Sequence, residues 1–259
     1  MKKLRVLDLF SGIGGFSLGL ERTGGFETVA FCEIEEFPRR VLAKHWPEVP
    51  CYHDVRTLTA DVLRRDGIAV DVITGGFPCQ DLSVAGKQRG MGEGTRSGLW
   101  SEIVRLIGEL RPRYVIVENV ANLLSGPSQK RGGWFGRVLG DLAECGYDAE
   151  WENIPASALG APHRRERVWI VAYANGNRLE KNAAEAILFD AAGFSKLPGR
   201  LGEMDSPSIW NLPRPIGAIP VALGDGLPEW LGDIKGAGNA VVPQIPELIG
   251  RAILQAEAA

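Results

Sequence analysis

Residues 4–22 restrict the fold more than any other stretch of this chain. Leu4–Leu9 is a largely apolar run of one strand's length, residues 10–15 hold three glycines, and Ser17–Arg22 has the make-up of a helix. A strand that passes into a helix through a glycine-rich turn is the opening unit of a layered α/β domain. Backbone N–H groups in such a turn can approach an anionic ligand at the helix N-terminus. Glycines alone are equally well explained by a tight turn with no ligand. Their spacing departs from Gly-x-Gly-x-x-Gly, which speaks against a nicotinamide cofactor.

The alternation continues through residue 175. Thr28–Cys32 reads as a second strand ending at Glu33, and Asp54 follows Cys51-Tyr52-His53 at a further strand end. A carboxylate about 20 residues beyond a glycine turn is where such folds bind ribose hydroxyls. Singly, Glu33 and Asp54 are ordinary surface acids; with the glycine turn they suit a nucleoside-bearing cofactor. Leu99–Leu110 and Trp134–Cys145 carry apolar residues at helical spacing. Trp151–Pro155 and Arg167–Ala174 read as later strands, and Pro243–Ala259 as a final helix with its prolines near the start. The expected architecture is α/β, a doubly wound, mostly parallel sheet with helices on both faces. Ala183–Phe189 suggests a short helix. Phe194–Leu231 is rich in Pro, Gly and Trp and has no clear period.

Three segments carry chemistry. Pro78-Cys79-Gln80 follows the run Val70–Ile73 and Gly75-Gly76, so Cys79 stands at the carboxyl end of a strand, where open α/β sheets place ligands. A thiol there is a candidate nucleophile; a lone free cysteine is equally a buried apolar residue. Tyr114–Val117 precede Glu118 at another strand end. A half-buried glutamate there has a raised pKa and can deliver a proton, or it can sit in a salt bridge. His163-Arg164-Arg165-Glu166-Arg167 runs straight into a strand, and guanidinium forks suit phosphate and carbonyl oxygens.

These segments, in this order, resemble the DNA (cytosine-5) methyltransferase family. The matching residues are Asp8–Phe16, Pro78-Cys79-Gln80, Glu118-Asn119-Val120, Arg165-x-Arg167 and Gly238-Asn239-Ala240-Val241-Val242-Pro243. The resemblance covers about residues 4–173 and resumes near 236–255. It implies the S-adenosylmethionine-dependent (Rossmann-like) form of the α/β fold, with a small irregular target-recognition lobe. It implies three regions: a catalytic and cofactor-binding domain at 1–173, a reduced target-recognition region at 174–235, and a C-terminal segment at 236–259 returning to the first.

The resemblance also assigns roles. Cys79 adds to C6 of a flipped-out cytosine, Glu118 meets the charge at N3, and Arg165 and Arg167 complete the catalytic set. S-adenosyl-L-methionine is the implied donor. Phe10 stacks on its adenine, and Ser11, Gly12, Ile13, Gly14 and Gly15 cradle its methionine end. Glu33 takes the ribose hydroxyls and Asp54 the adenine amine. Ile34, Val55, Pro78 and Leu99 line the pocket, which Asn239 and Val241 close. Gln80, Ser83, Lys87, Gln88 and Arg89 are the implied DNA contacts. Double-stranded DNA is the implied partner, with a cognate restriction endonuclease acting separately as a further one; a monomer is expected. The chain departs from the family in three ways. The variable region is short, no arginine-led motif precedes the last segment, and His163 stands where glutamine is usual.

Composition sets limits. At 259 residues and 45% hydrophobic content the chain can bury a full core. A net charge of -3 means that DNA binding must rest on a local patch. The four cysteines form no Cys-x-x-Cys pair, so no metal site is expected. No signal peptide or spanning apolar stretch is seen, so a cytoplasmic protein is expected, and the resemblance implies a bacterial or phage-encoded one. Two other readings belong to different classes. A transfer RNA cytosine methyltransferase shares such a core, and a non-enzymatic DNA-binding relative would normally lack Cys79 or Glu118.

Overall fold

The computed structural model describes residues 2–77, 99–124, 133–159, 165–175 and 240–258. Seven strands form one sheet: β1 (Leu4–Leu9), β2 (Phe26–Cys32), β3 (Cys51–Tyr52), β4 (Val72–Gly75), β5 (Tyr114–Val120), β6 (Tyr147–Pro155) and β7 (Glu166–Ala174). Their order is β3-β2-β1-β4-β5-β7-β6. The first five are mutually parallel, and β7 runs antiparallel to both β5 and β6. The expected α/β, mostly parallel sheet is therefore what forms. The strand order reverses between β1 and β4, the position at which open α/β sheets open a crevice for ligands.

Period-two alternation divides the sheet between two cores. On one face Leu7, Leu9, Ile73, Val115 and Val117 pack under α3 (Ala60–Arg65), α4 (Trp100–Leu110) and α5 (Gly133–Glu144). On the other face Leu4, Val6, Val72, Ile116 and Val171 meet Phe16 and Leu20 of α1 (Gly15–Arg22) and Ile245, Ile249 and Ile253 of α6 (Gln244–Ala258). Helix α2 (Glu36–His45) buries only Leu42 and leads to Trp46, whose ring covers Gly14. Strands buried on both faces lose the alternation of a half-exposed strand. That is why Tyr114–Val117 of β5 reads as a continuous apolar run.

Several boundaries differ from the sequence reading. Helix α1 starts at Gly15 rather than Ser17, because the positive-φ Gly14 serves as its N-cap. Strand β4 is Val72–Gly75 rather than Val70–Ile73, since Asp71 is held by Arg5, with Nε to Oδ2 at 2.7 Å. Strand β6 begins at Tyr147, well before Trp151. It lies at the sheet edge with half-open faces, so its sequence lacks an apolar run to mark it. The region 176–239, including Ala183–Phe189, Phe194–Leu231 and the proposed recognition region, lies outside the described residues.

The C-terminal helix returns to the first motif through glycine. A methyl group at Gly15 would lie 2.6 Å from the Val241 carbonyl oxygen, and one at Gly19 would strike the Pro243 carbonyl oxygen. At the other end of α6, Glu257 accepts from Tyr114 Oη at 2.6 Å and from Arg113 Nη2. We expect Gly19→Ala to destabilise the fold by about 1–3 kcal/mol through forced separation of α1 and α6. Urea unfolding would show the lowered midpoint; an unchanged midpoint would mean that α6 is not held by this contact.

Candidate active site

The carboxyl ends of β1, β2, β4 and β5 converge at one edge of the sheet. After β1, the chain turns through Phe10 and Gly12 at φ 51° and 54° and Gly14 at φ 86°. Left-handed backbone is cheap at glycine and uncommon at phenylalanine. The turn is held partly by Ser11, whose hydroxyl donates to the Asp8 carbonyl at 2.6 Å. It is held also by Glu33, immediately beyond β2, whose Oε2 accepts from the Gly12 amide at 2.8 Å. Glu33 Oε1 accepts from the Glu35 amide at 2.8 Å. Of the acids that the sequence grouped with the glycines, Glu33 is thus joined directly to the turn. Its neighbour Ile34 is 52% exposed, an apolar surface beside the turn.

Asp54 lies beyond β3 at the same edge, and its carboxylate is gripped by Arg56. Nη2 of Arg56 approaches Oδ2 at 2.6 Å, and its backbone amide donates to Oδ1 at 3.0 Å. The Arg56 hydrogen bond holds the Asp54 carboxyl below its ordinary value. Val55 is buried in the core below, Phe10 packs against the same core with part of its ring open, and Leu99 lies just before α4. Val241 abuts Gly15.

Strand β5 delivers the second part of the site. Glu118 lies within the strand rather than after its end, because pairing with β7 extends the ladder to Val120. It shares its sheet face with Asp8 and Thr74. Gly76 leaves it room: a methyl group there would lie 3.2 Å from Glu118 Oε2. Arg167 of β7 donates from Nε to Glu118 Oε1 at 2.8 Å. Burial pushes the Glu118 carboxyl above its ordinary value, and the nearby Arg167 and Arg165 oppose that rise. A largely buried acid with an elevated pKa beside guanidinium groups is suited to holding and delivering a proton.

The segment expected to carry the nucleophile leaves from the middle of this edge. Phe77 is buried, its ring 5.4 Å from that of Trp100. Its carbonyl accepts from Asn119 Nδ2 at 3.1 Å. Asn119 was visible in sequence only as a neighbour of Glu118; its task of fixing the backbone before Pro78 depends on two distant strands. Pro78, Cys79, Gln80, Ser83, Lys87, Gln88, Arg89, Arg164 and Asn239 lie outside the described residues. Among the described residues there is no metal-ligating cluster of three or more His, Cys, Asp or Glu side chains. None of the described helices is long and apolar enough to cross a membrane.

We expect Glu33→Ala to weaken binding of S-adenosylhomocysteine by about 1–3 kcal/mol, the usual effect of orphaning a buried hydrogen-bonding group. The Gly12 amide also loses its acceptor. Calorimetric titration would measure the change, and wild-type affinity would mean that the turn and Glu33 do not bind the cofactor.

Comparison with known proteins adds to this geometry. The model of the C-5 cytosine-specific DNA methylase family matches residues 4–208. The type II methyltransferase M.Sau3AI of Staphylococcus aureus is 35% identical over 202 residues, which is 73% of this chain and 48% of that protein. M2.BsuMI of Bacillus subtilis (strain 168) is 36% identical over 173 residues, 65% of this chain and 42% of that one. This chain thus spans about half the length of the curated relatives it matches. Among solved structures, a protein described as a DNA modification methyltransferase encoded within an E. coli prophage has a TM-score of 0.57 at 29% identity, covering 69% of this chain and 49% of its own. The Dnmt2 methyltransferase of S. pombe, at 22% identity, has a TM-score of 0.53 over 67% of this chain and 50% of its own, a likeness of fold. The sheet order, the glycine turn joined to Glu33, the largely buried Glu118 and the family match over residues 4–208 agree: the chain belongs to the C-5 cytosine-specific DNA methylase family.

Proposed function

We propose that this protein methylates C5 of cytosine in double-stranded DNA. The observation that carries the reading is the largely buried Glu118, backed by Arg167 and lying beside Gly76, at the edge from which the Pro78-Cys79 segment departs. S-adenosyl-L-methionine is the donor, and it supplies an electrophilic methyl group when bound. The residues present suit it: a left-handed glycine turn with close backbone approach, a buried acid at Glu33, and the open apolar side chain of Ile34. Phe10 and Ile34 would flank the adenine, Glu33 would take the ribose hydroxyls, and Asp54 would take the adenine amine. Val241 and Asn239 would close the pocket.

The target carbon is out of reach within a duplex, so the base is flipped into the site. The Cys79 thiolate forms a bond to C6, and the ring electrons displaced by that bond move toward N3. Glu118 delivers its proton there, and Arg165 and Arg167 hold the base and keep Glu118 in place. The ring is then an enamine, nucleophilic at C5. Once C5 carries the methyl group, a base takes the C5 proton, the C5–C6 double bond reforms as the Cys79 thiolate leaves, and N3 gives its proton back to Glu118. Gln80, Ser83, Lys87, Gln88 and Arg89 contact the DNA, with phosphates as the partners of the basic side chains.

DNA carrying 5-fluorocytosine tests this reading. Fluorine does not leave as a proton does, so Cys79 stays bound and a denaturant-stable protein–DNA adduct is expected in the presence of cofactor. No adduct with DNA would sink the reading, and an adduct formed with transfer RNA alone would move the substrate to RNA.

A further inference from the structure

Helix α1 lacks a cap of its own. It begins after Gly14, which has no side chain to accept from the first-turn amides. Such amides need an acceptor from elsewhere. Asp8 of β1 supplies it. Its carboxylate accepts from the Ser17 backbone amide, and Oδ2 accepts from Ser17 Oγ at 2.8 Å. Its Oδ1 accepts from Thr74 Oγ1 at 2.8 Å. Thr74 is the register partner of Asp8 on β4, across the boundary where the strand order reverses. Asp8, Ser17 and Thr74 are all fully buried, in the layer of Val6, Val72, Phe16 and Ile116. Packing alone would be met by an apolar residue, and a carboxylate is retained in such a layer only with its hydrogen bonds made. This carboxylate joins the glycine turn to the strand that leads to Pro78 and Cys79.

We propose that Asp8 is a positioning residue. Its ionised carboxylate sets the glycine turn for S-adenosylmethionine and ties that turn to the nucleophile-bearing strand, so that cofactor affinity follows the ionisation of Asp8. The proposal rests on the cofactor reading above. Burial drives the Asp8 carboxyl up to about 7, its hydrogen bonds with Thr74 and Ser17 oppose the rise, and Glu33 at the end of β2 adds to it. From β4 and α1 the facing groups are the neutral hydroxyls of Thr74 and Ser17. Ionised, Asp8 accepts at both oxygens. Protonated, it must donate through one of them, and a donor on that side loses its acceptor.

The two consequences of this titration have opposite signs. The folded chain holds the Asp8 proton more tightly than the unfolded chain does, so this group makes stability fall as pH rises from about 4 to about 7. Cofactor binding needs the ionised form, so affinity rises over the upper part of that window. The experiment is calorimetric titration of the whole protein with S-adenosylhomocysteine between about pH 5.5 and 9. Wild-type affinity should rise about tenfold per pH unit below 7 and then level off. Asp8→Asn should bind about tenfold or more weakly at pH 8, with a flat profile. Thr74→Val removes a donor to the ionised form and should move the midpoint up by about one pH unit. A flat wild-type profile, an unmoved midpoint in Thr74→Val, or full affinity in Asp8→Asn would overturn the proposal. Should Asp8→Asn fail to fold, the Thr74→Val midpoint alone decides. Absence of wild-type binding at every pH would overturn the cofactor reading itself, and this proposal with it.

Discussion

Cys79→Ser is expected to abolish methyl transfer while leaving the fold intact. A serine hydroxyl stays protonated at neutral pH and is a far weaker nucleophile than a thiolate. Without addition at C6, C5 of the ring lacks the electron density to attack a methyl group. The backbone approaching this position is fixed before it, by the Phe77–Trp100 contact and the Asn119 hydrogen bond, and neither involves the sulfur. The variant should therefore unfold in urea at the wild-type midpoint and bind S-adenosylhomocysteine normally. Single-turnover transfer of labelled methyl to DNA is the measurement. Wild-type rates in the serine variant would remove Cys79 from the mechanism.

Glu118→Gln should lower the rate by about 10²–10⁴-fold, the usual contribution of a positioned general acid. Glutamine keeps the shape and a hydrogen-bonding end, but it has no proton to give to N3. The wild-type rate should fall as pH rises through the Glu118 pKa, because only the protonated form delivers. Burial sets that pKa above the ordinary value, and Arg167 restrains the rise. Arg167→Ala removes the restraint, so the alkaline limb should move to higher pH even as the rate drops. The glutamine variant should lack this limb. A wild-type rate that rises instead of falling as pH passes through this pKa would show that Glu118 acts as a carboxylate instead.

The motifs were legible in sequence because each is a local event. A glycine-rich turn after Leu4–Leu9, an acid after Thr28–Cys32 and an apolar run before Glu118 follow from side-chain periodicity and backbone preference within a few residues. Helices α4 and α5 were legible to within a residue, since their apolar faces repeat at helical spacing. The start of β6 was not, because an edge strand with open faces carries little apolar signal.

The linear chain determined that a mostly parallel α/β sheet would form and which strand ends would carry acids, glycines and arginines. Only the tertiary structure decided who meets whom. It set β1 beside β4, turned β7 antiparallel, and brought Arg167 onto Glu118 and Arg56 onto Asp54. It also gave Asp8 the role of capping α1 from a neighbouring strand, which no local pattern signals. The reason is physical. Periodicity records which face of an element leaves water. The charge state and partner of a buried group depend on desolvation and on hydrogen bonds from residues far away in sequence, and these exist only once the strands have paired.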